Sequence, residues 1–271
     1  MEDTKKTTLQ QIPYKVSIAM QGADCAQVAS AVVEYLPSGD VREGGEGAWA
    51  VEDNRGRTWV IIDGADDLDS MFDEPVARCV LVSPVLAYED MGDLIGLLRE
   101  IRSTTGAQGG ASCGIRVYAF PGKGQTWRGG NLRTLVNNRL LLLFKVLNPD
   151  LEGFRPHVEE RINQLVSDEK DICEVLPCDA ASSLDFDEVK DALQLALAIT
   201  AQAVNQKRVY VKRNQPENER YAFRCWMLKM GLSGDECKAM RRRFLKRLPG
   251  DSATKIPRSS NEIGKNSILE L

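Results

Sequence analysis

The chain has 271 residues, 43% hydrophobic and 27% charged, with a formal net charge of −4, enough for a large domain with a buried core. No apolar run approaches the ~18–20 residues of a membrane span. The polar start Met1-Glu2-Asp3-Thr4-Lys5-Lys6 also lacks a signal peptide's apolar core, so the sequence reads as cytoplasmic, with no membrane partner.

Residues 1–12 are polar and read as a flexible arm. Tyr14, Val16, Ile18 and Met20 alternate with Lys15, Ser17 and Ala19, which is strand periodicity. A helix is expected from Asp24 to Leu36, stopped by Pro37-Ser38-Gly39. Trp49–Val51 and Thr58–Ile62 flank Asp53-Asn54-Arg55-Gly56, a hairpin signal. Cys79–Ser83 reads as a buried strand, and Met91, Leu94, Ile95, Leu98 and Ile101 recur at helical spacing. A strand over Cys113–Phe120, a glycine-rich loop over Pro121–Gly130 and an apolar helix over Asn131–Leu147 follow. Then come a polar helix near Pro156–Val166, a strand near Ile172–Leu176, a long helix over Asp185–Val204, a polar connection and two basic helices. The order predicts an α+β fold. Its parts are a body over 13–204, a basic helical appendage over 205–254 and a disordered tail over 255–271.

Chemistry-bearing motifs are few. Gly122-Lys123-Gly124 and Gly129-Gly130 precede a helix, but neither G-x-x-x-x-G-K-[ST] nor G-x-G-x-x-G is present. Cys113 would need a base to act as a nucleophile, and the sole histidine, His157, lies in an unrelated segment. The seven cysteines are odd in number and form no C-x-x-C. They read as reduced, buried thiols with no zinc site.

Charge is uneven. Asn205 to Arg258 holds fifteen Lys/Arg against five Asp/Glu, which leaves the body acidic. Ser233 and Glu236 have capping-box spacing at the start of a helix running to Leu248. Cys237, Met240, Phe244 and Leu248 form its apolar stripe, and Lys238, Arg242, Arg243, Lys246 and Arg247 fan across the opposite face. Such a face is either solvated and neutralised by the acidic body or a contact surface for nucleic acid or an acidic protein.

Several segments, in order, resemble the amidoligase family. Ala111 to Tyr118 is similar to the family strand S-C-G-x-H-V-H, and Leu81-Val82-Ser83-Pro84 to the end of its V-E-F-V-S-P strand. Tyr14–Met20 stands where the family reads G-x-E-x-E, and Trp59–Gly64 resembles W-x-x-x-x-D-G. Tyr221–Gly231 with Gly234-Asp235-Glu236 resembles a tail found in members from bacterial mobile elements. The resemblance implies a glutamine-synthetase-like antiparallel half-barrel flanked by helices. In that family, inward carboxylates and histidines hold Mg²⁺ and ATP for carboxylate–amine ligation.

At the matching positions this chain has Ser17 and Ala19 for two carboxylates, Val80 for a glutamate, and Arg116 and Tyr118 for two histidines. A later strand brings Leu176, Pro177 and Cys178, with Glu174 reaching the site only after a two-residue slip. Asp63 is retained, and Arg116 is expected to pair with it across the vestigial cleft. The resemblance therefore implies a non-catalytic protein without metal or cofactor. It would act as an interaction or regulatory protein of a mobile element or phage, with a host or defence protein as partner. Two alternatives stand: an active Mg·ATP-dependent ligase using Glu34, Asp63, Asp66, Asp67 or Glu174, and nucleic-acid binding through the C-terminal helices.

Overall fold

Apolar alternation in strand β1 (Tyr14–Met20) organises the molecule: Tyr14, Val16, Ile18 and Met20 are fully buried on one face, while Lys15 and Ser17 on the other are half-buried. The computed structural model describes residues 6–36, 41–44, 47–63, 79–109, 115–120, 129–147, 173–178, 185–211 and 216–255. Beside β1 lie β2 (Val41–Glu43), β3 (Trp49–Glu52), β4 (Thr58–Asp63), β5 (Cys79–Val82), β6 (Ile115–Ala119) and β7 (Cys173–Cys178). They form one seven-stranded sheet in the order β2-β3-β4-β5-β1-β6-β7, with every neighbouring pair antiparallel.

Helices α1 (Cys25–Tyr35), α2 (Met91–Thr105) and α5 (Phe186–Asn205) cover one face of this sheet. The Asp24 carboxylate accepts from the Gln27 amide at 2.7 Å and the Gln27 side chain accepts from the Asp24 amide at 3.1 Å, a capping box that starts α1. Helix α1 packs on β3, β4 and β5, α5 packs on β6 and β7, and α2 bridges the two helices. The fold is thus α+β, with an antiparallel sheet flanked by helices.

Four expectations need correction. The arm is not loose where it is described: Leu9 and Ile12 are buried, and the Thr7 backbone exchanges hydrogen bonds with the Asn205 side chain at 2.8 and 2.7 Å. The apolar helix over 131–147 is two helices, α3 (Gly129–Asn137) and α4 (Leu140–Leu147), broken by a turn at Asn138 and Arg139. There the Arg139 guanidinium stacks 4.4 Å over the ring of Trp226.

The basic end is packed on the body rather than appended to it. Helices α6 (Glu219–Lys229) and α7 (Lys238–Lys246) place Phe223, Trp226, Met227, Met240 and Phe244 in the same apolar cluster as the sheet. The Ser233–Glu236 capping box is not formed: a short 3-10 turn, Asp235–Cys237, enters α7 without a side-chain cap. The expected helix at 156–166, the loop over 121–128, Cys113 and the tail beyond 255 lie outside the described residues. Among those described, no helix is long and apolar enough to cross a membrane.

Candidate functional site

The face of the sheet opposite α1, α2 and α5 gathers most of the positions singled out by sequence. In the β1–β6 ladder Lys15 stands opposite Tyr118 and Ser17 opposite Arg116. In the β1–β5 ladder Ser17 stands opposite Val82 and Ala19 opposite Val80. Val82 and Val80 continue to Val60 and Ile62 of β4. Side chains alternate across a strand, so all of these share one face. Lys15, Ser17, Arg116 and Tyr118 are half-buried, whereas Ala19 and Val80 are buried. Glu174 is the register partner of Tyr118, beside an irregularity at Val117/Tyr118, so β7 reaches this row after a slip.

Asp63 does not join them. It pairs in register with Cys79, whose neighbours on that face, Trp59, Ile61 and Leu81, are buried under the helices. Asp63 thus stands at the end of β4 on the face opposite Arg116. The expected Arg116–Asp63 pair is ruled out by strand alternation, because a six-residue strand ending on the odd position turns its last side chain toward the helices. Glu34, an alternative ligand, is exposed on α1 on the helix side. Asp66 and Asp67 lie outside the described residues.

Magnesium requires hard oxygen ligands, with carboxylates or phosphates to balance its charge. Lys15, Ser17, Ala19, Val80, Arg116 and Tyr118 supply two hydroxyls, two apolar side chains and two cations. Even with Glu174 as the one acid that register brings to the row, this donor set does not fit a magnesium–nucleotide.

A second polar constellation, which sequence reading missed, sits at the β3–β4 hairpin on the helix side. The Asp53 carboxylate accepts from the Arg55 and Arg57 amides, each at 2.9 Å, and from Arg57 Nε at 2.8 Å. Asp90 accepts from Arg55 at 2.7 Å, Arg57 at 2.8 Å and the Ala87 amide at 2.8 Å. Burial pushes both carboxyls upward, but these hydrogen bonds and charges outweigh it and hold them below the ordinary value. A cleft of about 290 Å³ opens beside them, lined by Tyr35, Trp59, Arg55, Arg57 and Asp93 among others. Two arginines and two buried aspartates neutralise one another, so the cluster pins the hairpin to the start of α2. Its only sequence signal was the Asp53–Gly56 turn, which says nothing about Asp90.

The cations of α7 divide into two groups. Arg243 Nε and its terminal nitrogen grip the buried Asp191 carboxylate at 2.6 and 2.9 Å, and Arg243 also reaches Asp187 at 3.1 Å. Arg247 bonds Glu188 and the Val146 carbonyl. Both therefore face the body rather than outward, contrary to expectation, because the first turns of α5 present Asp187, Glu188 and Asp191 to them. Lys238, Arg242 and Lys246 are exposed. Comparison with family models, curated proteins and solved structures gives no match for this chain.

Proposed function

We propose that the chain is a non-catalytic, amidoligase-like protein on a glutamine-synthetase-like half-barrel, acting as an interaction or regulatory protein of a mobile element or phage. The observation that supports this is the chemistry of one sheet face. Ser17, Ala19, Val80, Arg116 and Tyr118 occupy neighbouring positions of three paired strands. A ligase would need acids and histidines there. The partner is a host or defence protein, and the exposed cations Lys238, Arg242 and Lys246 offer it a charged contact.

The test is calorimetry with Mg·ATP, together with an assay for ATP-dependent amide formation. We expect neither turnover nor magnesium-dependent binding. A saturable 1:1 isotherm that disappears when magnesium is chelated would overturn the reading in favour of an active ligase.

A further inference from the structure

Two of the residues on this sheet face, Lys15 and Arg116, are cations. Lys15 and Ser17 follow each other at i and i+2 on β1, and opposite them on β6 stand Tyr118 and Arg116. Directly opposed residues of an antiparallel pair have side-chain origins ~5 Å apart, and diagonal ones ~7 Å apart. Lys15, Ser17, Arg116 and Tyr118 are therefore neighbours on one patch of the sheet face.

Neither Lys15 nor Arg116 makes a side-chain hydrogen bond or ion pair with any described residue. Both are nonetheless half-buried. Two like charges held as diagonal neighbours, partly out of water and without a counter-charge among the described residues, are unfavourable. The nearest acid by register, Glu174, is opposite Tyr118 on the far side of β6 from Lys15. Beyond Ser17 the face turns apolar through Ala19, Val80, Val82, Val60 and Ile62.

We propose that this patch is a metal-free phosphate site for a small phosphomonoester with an apolar body. A phosphomonoester carries close to two negative charges and three terminal oxygens. That matches two cations beside the Ser17 hydroxyl, whereas a carboxylate offers one charge and two oxygens. The half-buried part of the apolar strip, Val82, Val60 and Ile62, lies where the body of such a ligand would rest. This inference concerns the same sheet face that the proposed function reads as lacking ligase chemistry. It needs no relationship to any family, since it stands on register, exposure and charge.

The experiment is calorimetry of the full chain with inorganic phosphate, phenyl phosphate and benzoate, all in EDTA. The expected order is phenyl phosphate tighter than inorganic phosphate, with benzoate weakest. Arg116→Gln and Lys15→Gln should each weaken phenyl phosphate at least tenfold, and Arg116→Lys should restore part of the loss. The thermal midpoint should hold in all three variants, and if Arg116→Gln does not fold, Lys15→Gln carries the test alone. Absence of phosphate binding at millimolar concentration, or binding indifferent to both glutamine variants, overturns the proposal. Neither result touches the proposed lack of ligase chemistry. In a parallel titration with magnesium in place of EDTA, binding that appears only there would overturn both.

Discussion

The contact that fixes the C-terminal helices is the pair Arg243–Asp191, and its removal has a calculable cost. The Asp191 side chain is 3% exposed and receives two bonds, at 2.6 and 2.9 Å, from a guanidinium that is 34% exposed. Taking away one partner of a buried pair costs ~3–5 kcal/mol. Solvent screening of a one-third exposed arginine lowers that to about 2–3 kcal/mol for Arg243→Met. Asp187, at 61% exposure, contributes little. The pH dependence follows from burial, which pushes the Asp191 carboxyl above its ordinary value even with Arg243 bound. Without Arg243 it rises further. The folded state then favours the protonated acid, so the loss is largest at neutral pH and shrinks as pH falls through the raised pKa. Urea unfolding at pH 7 and pH 5, followed by tryptophan fluorescence, measures both effects. Arg243→Met/Asp191→Leu should recover most of the stability, since an apolar pair leaves no buried charge. A loss within 0.5 kcal/mol at pH 7, as for an ordinary surface change, would refute the argument, and so would a double variant no more stable than the single one.

Asp53 and Asp90 titrate in the opposite sense. Their carboxyls lie below the ordinary 3.8 in the folded protein, so the stability they contribute is complete above that value and lost as pH falls through their lowered pKa. Urea midpoints from pH 6 to pH 3 should fall at the acid end, and Arg57→Leu should flatten that fall while costing about 2–4 kcal/mol at neutral pH. Gly56 closes the β3–β4 hairpin at φ +69°, and an added Cβ would meet nothing closer than the Glu52 carboxylate at 3.7 Å. Gly56→Ala should therefore cost about 1–2 kcal/mol from backbone strain alone, read from the urea midpoint. Changing Lys238, Arg242 and Lys246 together to Ser should remove salt-sensitive binding to polyanions, read by fluorescence anisotropy at two salt concentrations. The thermal midpoint should stay unchanged because these three are exposed.

What the sequence made legible follows the range of the forces involved. β1, the β3–β4 hairpin, β5, β6 and the helices α1, α2 and α5 came through because their patterns are local: period two, period 3.6 and turn chemistry. Strand β2 did not, since Val41, Arg42 and Glu43 are all exposed at the sheet edge and carry no alternation. The break at Asn138–Arg139 was invisible for a different reason. The turn seats Arg139 over the ring of Trp226, nearly ninety residues away, a contact that no local pattern announces. The site divides the same way. Ser17, Ala19, Val80, Arg116 and Tyr118 could be placed on one face by counting residues along strands. Whether Asp63 joins them depends on the β4–β5 register, which sets Asp63 against Cys79. Likewise, the outward or inward sense of Arg243 depends on where α5 packs.

That last dependence changes the meaning of the chain's charge asymmetry. Read along the sequence, an acidic body with a basic end suggests a molecule built to attract an external polyanion. In three dimensions the two halves answer each other: Arg243 and Arg247 meet Asp187, Asp191 and Glu188, and Lys145 meets Glu219 at 2.6 Å. Arg220 is engaged as well, donating two bonds to the Leu248 carbonyl. The charges nearest the interface hold the last two helices against the core, where Phe223 stacks edge-on with Trp226 and Phe244. The same distinction separates the two arginine-bearing sites on the sheet. Arg57 sits between Asp53 and Asp90 and is fully engaged, so it acts in the fold. Arg116 stands on the opposite face beside a second cation. A guanidinium between two carboxylates needs no ligand, whereas the anion proposed at Arg116 would supply a charge that no described residue gives it. Counter-charge within the fold, more than the number of cations in a segment, therefore decides which basic residues are available to a partner.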